Sequence, residues 1–413
     1  MQQLISLIFS SILLLMIIPF DAFATPYYIR KGASGSNNGS SWENAWNEMD
    51  QANTGGGGDT VYIAAGDYTT QLLLRSGVSS ESRLIYIRAT AAAHGPSEGW
   101  DIAYDGQVNL NVSNTSAYAI DGRSDYVTVD GVTRYGIHVR GGTYHAVASD
   151  CVPGECDYVT YRYIWFDGSD GYSEDSMLGK GSGFLAEYCY FLNYDNGVRH
   201  GDTWSWYSGS DITLRYNVFE NGGQYISMGT AGPDLNIYGN IFISNGGEVY
   251  NGIIVNDVSG TVNIYNNTFD SESVANNGYD QVFRVVNGSA PSSYTGVYFR
   301  NNAIRRANAS NVQHTTHNNN AYESGTTWSY PSETGRVVAA DLGFVDPSTQ
   351  DYHLESDSPL RAAADDTIGA EYNTDFDEVA RGISWDIGAY EYDAGGAPSI
   401  IKKIMTFFRR LRG

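Results

Sequence analysis

The sequence predicts an all-β fold, a solenoid of parallel strands wound in short coils. Three observations predict it: composition, a row of eight residues that recurs six times, and a column of asparagines within those rows. The 413 residues include 47 Gly, 32 Tyr and only 10 Pro, and 42% are hydrophobic. That apolar share supplies a sizeable core and excludes a disordered chain. Gly and Tyr with β-branched residues between them argue against a helical bundle. The chain carries 47 Asp and Glu against 24 Lys and Arg, a net charge of −23. No nucleic-acid partner is expected, because phosphate binding needs a basic footprint.

The rows are 159–166, 184–191, 212–219, 235–242, 262–269 and 297–304, and their last residues step by 25, 28, 23, 27 and 35. Positions one and three are apolar in every row, which is the alternation of a half-buried strand. Position eight is Phe166, Phe191, Phe219, Phe242, Phe269 and then Ile304. Position six is Ile164, Cys189, Asn217, Asn240, Asn267 and Asn302. Asparagines at one place in successive coils can hydrogen-bond up a ladder, and asparagine tolerates the bent backbone between two strands. The phenylalanines are expected to stack inside. Weaker rows occur upstream at 84–87 and 127–129. A period in the twenties without helical patterning predicts a solenoid rather than a propeller or an immunoglobulin-like array.

Taken in chain order, residues 1–24 read as a secretory signal peptide, apolar from Leu4 to Phe20 and ending in Ala22-Phe23-Ala24. The first residues hold no Lys or Arg, so an uncleaved anchor is the other reading. Residues 25–393 form the solenoid domain, 394–398 a linker, and 399–413 a basic amphipathic tail. Lys402, Lys403, Arg409, Arg410 and Arg412 lie mostly opposite Ile400, Ile401, Ile404, Met405, Phe408 and Leu411 on a helical projection. The tail fits a helix lying on an anionic membrane, and equally a solvated end. It is too short to span a bilayer. Cys151 and Cys156 bracket a short turn in a chain read as exported, which suits a local disulfide. Cys189, in the column later filled by asparagine, is expected to be a buried free thiol.

Three stretches carry a resemblance: YYIRKGASGSNNGSSWENAWNEMDQA (27–52) with GDTVYIAAGDYT (58–69), the asparagine and phenylalanine columns, and DYHLESDSPLRAA (351–363) with DIGAYEY (386–392). Together they resemble secreted bacterial right-handed parallel β-helix proteins of the pectate-lyase-like superfamily. The resemblance implies an entry strand, an N-terminal capping helix around Trp42–Ala52, a closing segment at the end, and an extracellular polysaccharide as partner. It does not select an activity, since this architecture hosts lyases, glycosidases, epimerases and non-catalytic surface proteins. A monomer is expected.

A groove for an extended glycan can form where outward side chains of one sheet align. Candidate strands for one such face are 136–140, 198–206, 225–228, 252–256 and 281–286, with Ile137, Val139, Ile226, Met228, Ile253, Val255, Phe283 and Val285 inside. The richest stretch is NYDNGVRHGDTWSWY (193–207). A polysaccharide lyase needs a base for the proton α to a uronate carboxylate and a cation that neutralises that carboxylate. His200 and Lys180 are candidate bases, with Asp202 orienting His200 and Arg199 pairing with the substrate. Asp195, Trp204, Trp206, Arg140 and Arg284 are candidate substrate contacts. A glycosidase needs two carboxylates instead, for which Asp195 and Asp202 with Glu248 or Asp280 are candidates. DGSDGYSED (167–175) offers Asp167, Asp170, Glu174 and Asp175 as oxygens for Ca²⁺, without EF-hand spacing. Each of these residues has a plainer reading: a loop histidine bonded to Asp202, a solvated turn lysine, an aromatic patch, an acidic loop. The expected function is polysaccharide binding with cleavage by β-elimination. A glycoside hydrolase and a non-catalytic surface protein are the alternatives.

Overall fold

The computed structural model describes residues 24–52, 55–112, 118–142, 144–149, 156–169, 175–194, 201–231, 234–244, 251–256, 260–271, 281–286, 296–306, 316–325 and 333–393. The chain passes through three parallel sheets in turn, and among the described residues eight coils carry one strand of each. The first sheet has 11 strands, from Pro26–Ile29 to Thr316–Asn318. The second also has 11, from Gly66–Tyr68 to Val337–Ala339, and the third has 8, from Leu72–Leu73 to Gln281–Val286. A central coil runs Thr160–Arg162, Ile164–Asp167, Asp175–Gly179, and the next begins at Leu185–Glu187. Eleven strands at about 4.8 Å spacing make a stack of about 48 Å.

Each eight-residue row is a first-sheet strand, a corner and a second-sheet strand. The corner residue is left-handed: φ is 59° at Tyr163, 55° at Tyr188 and Tyr216, 54° at Asn266 and 56° at Asn301. Gly239 takes the same corner at φ 63°, where a side chain would run into the Tyr216 ring beside it. Inside the turn the expected ladder forms. Asn217, Asn240, Asn267 and Asn302 are fully buried. In each step the backbone N–H and the side-chain amide of one asparagine donate to Oδ1 of the next, at 2.9–3.1 Å. The ladder runs further than the rows. Asn320 extends it, and the Glu333 carboxylate ends it by accepting both Asn320 donors. At the other end the Cys189 amide donates to Asn217 Oδ1, 2.9 Å. Cys189 is a buried free thiol, and burial pushes its pKa up to about 12. Cys156 is disulfide-bonded, while Cys151 lies outside the described residues.

The phenylalanine column stacks as expected. Phe166, Phe191, Phe219, Phe242 and Phe269 sit ring on ring at centroid separations of 4.6–5.1 Å. Two further polar ladders hold the other corners. Oxygens of Asp125, Asp157 and Ser182 accept the amides of residues 157, 182 and 210 in turn. Asn221 donates to Asn193, which donates to Ser169.

One expectation about the fold is overturned. The described residues contain no helix of seven or more residues, so there is no N-terminal capping helix; a single 3₁₀ turn, Met49–Gln51, stands in its place. The helical spacing was a true burial pattern, since Trp42, Ala45, Trp46, Met49 and Ala52 are all buried. The backbone bonds go elsewhere, however. Trp46 donates to the Tyr28 carbonyl and its own carbonyl accepts from Arg30, which lays the segment along the first strand as an extended edge. The neighbouring amides go to side chains, Asn44 to Ser41, Asn47 and Glu48 to Gln51 and Asp50 to Thr70, so they are not paired as an α-helix would pair them. The amphipathic helical tail is likewise withdrawn from the fold; residues 394–413 lie outside the described residues.

The closing segment lies on the outer face of the second sheet. Phe344, Tyr352, Phe376, Trp385, Ile387 and Tyr390 pack with Tyr190, Val218 and Ile241 in one apolar cluster. Within it, His353 packs against Tyr390, ring centroids 4.1 Å apart and tilted by 35°, and is bracketed by Asp351 at 2.6 Å and Asp377 at 2.9 Å. Burial lowers its pKa, but the two carboxylates outweigh burial and raise it from 6.5 to about 9. A raised histidine pKa stabilises the folded state fully below the unfolded value and loses that contribution as pH rises through the folded one. The melting temperature is therefore expected to fall between about pH 6.5 and 9, and His353→Gln is expected to flatten that slope. Thermal melts at pH 6 and pH 10 check it; equal slopes for both proteins would refute the assignment.

Candidate active site on the second sheet

The structure breaks up the predicted third-sheet groove. Ile226, Met228, Ile253, Val255 and Phe283 point inward as expected. Trp204 and Trp206 share their parity and point inward too, 0% and 1% exposed, stacked at 5.2 Å under Phe184. They are core and offer no surface to a sugar. Arg140 belongs to the strand Ile137–Gly141 of the second sheet, so it does not join Arg284, whose strand Gln281–Val286 is in the third. The side chain of Arg284 is outside the described residues, as are Asp195, Arg199, His200, Glu248 and Asp280. Lys180 is half-buried at the far end of the preceding third-sheet strand, about 16 Å along it from the level of Asp202 at about 3.3 Å per residue. Asp202 is 7% exposed. Its amide donates to Asp175, 2.8 Å, and the other Asp175 oxygen lies 3.2 Å from His145 Nδ1.

The proposed calcium oxygens separate in the same way. Asp175 is committed to that corner, and Asp167 to another cluster on another sheet. Asp170 and Glu174 lie outside the described residues. Among the described residues no group of three or more His, Cys, Asp and Glu is placed to hold a metal ion.

What the structure does assemble is a histidine, a carboxylate and a guanidinium from adjacent coils of the second sheet. The strands Ile137–Gly141 and Ile164–Asp167 pair with Ile164 opposite Ile137 and Phe166 opposite Val139. Alternation turns Ile137, Val139 and Phe166 inward, where all three are buried, and turns His138, Arg140, Trp165 and Asp167 outward. Asp167 Oδ2 accepts from His138 Nε2 at 3.1 Å and from Arg140 Nε and Nη2 at 2.9 and 2.7 Å. Its Oδ1 accepts the Ser169 amide, 3.0 Å. The His138 ring lies flat on Trp165, centroids 3.9 Å apart and 11° from parallel.

These contacts set the chemistry. Burial pushes the Asp167 carboxyl up, but the hydrogen bonds from His138, Ser169 and Arg140 outweigh burial and hold it well below the usual carboxylate range. An ionised carboxylate only accepts, so the proton of the Nε2 contact sits on His138, and in the neutral form of the ring the lone pair is on Nδ1. Nδ1 makes no hydrogen bond among the described residues. The Arg140 side chain is 41% exposed and keeps Nη1 for another acceptor. Asp67 and Asn111, on neighbouring strands of the same face, are exposed.

Two of these residues were singled out in the sequence, Arg140 as a carboxylate partner and Asp167 as a metal ligand, but not together. Extending the row alignment by one strand would have paired IHVR (137–140) with IWFD (164–167) at an offset of 27 residues.

No protein-family model matches the chain, and no characterised protein matches it by sequence. Among solved structures it is similar to pectate lyase Pel9A, at 14% identity and a TM-score of 0.43 over 90% of this chain and 98% of the other. It is similar to XylC, solved in complex with xylose, at 9% identity and 0.45 over 88% and 98%. It is also similar to the pectin methylesterase of Aspergillus niger, at 11% identity and 0.28 over 77% and 85%. The parallel β-helix fold rests on the three in-register parallel sheets of the chain itself. Activity has to be argued from the residues themselves. No helix among the described residues is long and apolar enough to cross a membrane.

Proposed function

We propose that the protein is an exported polysaccharide-binding β-helix that cleaves a uronate-containing glycan by β-elimination at His138, Asp167 and Arg140. The observation that carries this reading is the shared Asp167 carboxylate. It orients His138 through Nε2 and holds Arg140 beside it, on an outward sheet face. Elimination needs a base and a fixed positive charge next to one another.

In this reading Nδ1 of His138 takes the proton from the carbon next to the uronate carboxylate. Arg140 Nη1 donates to that carboxylate and stabilises the charge that moves onto it. The electron pair forms a carbon–carbon double bond as the adjacent carbon–oxygen bond to the next sugar breaks. The imidazolium returns its proton to the departing oxygen. Trp165 under the ring and Asp167 behind it keep the imidazole from turning. Calcium fits the cluster poorly. The Asp167 oxygens are already shared among Arg140, His138 and Ser169, so the neutralising role goes to Arg140.

Incubation with a panel of uronate glycans, followed by the short-wavelength ultraviolet absorbance of a double bond conjugated to a carboxylate, tests the proposal. Unsaturated products are expected to accumulate, and a chelator is expected to leave the rate unchanged. Reducing-sugar release without that absorbance would replace the reading with hydrolysis. Silence across the panel, with retained binding, would leave a non-catalytic glycan-binding protein.

A further inference from the structure

The outer face of the first sheet carries a groove of about 550 Å³ that the second-sheet cluster does not use. Its floor is a column of polar side chains in register, Thr213, Asn236 and Asn263. The Asn263 amide donates to Asn236 Oδ1 at 2.8 Å, and the Tyr372 hydroxyl donates to the same oxygen at 2.9 Å. One wall is the corner where Asp211 and Asp234 follow one another in adjacent coils, and the other is the closing segment at Glu371 and Tyr372. Asp211, Asp234 and Glu371 are exposed. Arg215, the guanidinium of the groove, is bonded through Nε and Nη2 to Glu187 at 2.8 and 2.6 Å and through Nη1 to the Tyr238 hydroxyl at 2.9 Å. Its charge is offset by Glu187, so the field inside the groove is set by three carboxylates.

We propose that this groove is a second glycan site, selective for an oligosaccharide bearing free amino groups. Adjacent coils repeat at about 4.8 Å, close to the length of one pyranose ring, so the floor presents a hydrogen-bonding side chain to each successive sugar. The floor amides and hydroxyl take ring hydroxyls as donors or acceptors. The wall carboxylates pair with ammonium groups through charge-assisted hydrogen bonds and repel a uronate chain. The groove therefore selects the opposite charge from the second-sheet cluster, and the proposal stands whether or not that cluster is catalytic.

Calorimetric titration of the full chain with a glucosamine hexamer, an N-acetylglucosamine hexamer and a galacturonate hexamer tests it. The glucosamine hexamer is expected to bind one to one, at least tenfold tighter than either other oligomer, and to weaken as salt is raised. Asp234→Asn with Glu371→Gln is expected to weaken it at least tenfold. Asparagine tolerates the left-handed backbone at 234, φ 67°, so this pair is expected to fold. Because the whole protein is acidic, a charge-matched control is needed: Glu355→Gln with Asp357→Asn, exposed and outside the groove. That control is expected to keep the affinity. Thr213→Trp, which fills the floor without changing charge, is expected to abolish binding. Equal losses in the control and groove pairs, unchanged binding by the Thr213→Trp protein, or equal affinity for the acetylated hexamer would each overturn the proposal.

Discussion

His138→Ala is expected to lower turnover on a uronate glycan by about 10²–10⁴-fold, the usual contribution of a positioned general base. Its fold should survive, because the side chain is on an outer face and its ring covers Trp165 without entering the interior column. Arg140→Lys separates binding from chemistry. Lysine keeps the charge but loses the fork that grips Asp167, so both KM and turnover are expected to worsen. Asp167→Asn keeps the shape but no longer demands a proton on Nε2, and is expected to shift the pH profile as well as the rate. A merely structural ion pair would alter the melting temperature of these variants and leave the pH profile alone. Full turnover by the His138→Ala protein would move the search to the third sheet, around Asp202 and His200.

Asn240→Leu is expected to be the most damaging single change to the fold. Asn240 Oδ1 accepts the Asn217 amide and side chain, and its Nδ2 donates to the Leu214 carbonyl and to Asn267. All of this is buried. At about 1–3 kcal/mol for each buried group left unpaired, the loss is on the order of 3–5 kcal/mol. In a chain of this size that corresponds to a melting temperature lower by roughly 4–6 °C. Asn109→Leu is the control. Asn109 stands on an outer face and bonds the exposed Asp67, so its loss is expected to stay within about 0.5 kcal/mol. Denaturant titration of the two variants compares them directly. Equal stabilities would mean that the ladder is an ornament of the coil rather than its support.

The rows, the asparagine ladder, the phenylalanine stack and the buried Cys189 were all legible in the amino-acid sequence. A solenoid repeats the same local environment every coil, so the residues that environment demands recur at a readable period. The burial of Trp42, Ala45, Trp46, Met49 and Ala52 was legible for the same reason, since burial follows side-chain spacing. Their backbone was not. Whether the Trp46 amide bonds within a helix or across to the Tyr28 carbonyl depends on a strand already being present beside it. Which outward side chains meet was also decided by tertiary structure alone. Coil length sets the pairing, and stacking of the third-sheet strands is what brings Asp202 to Asp175. His138, Arg140 and Asp167 converge because strands 27 residues apart stack at about 4.8 Å. Sequence determines each strand's inward face by alternation, but the outward face is composed across coils, and only stacking brings its members together.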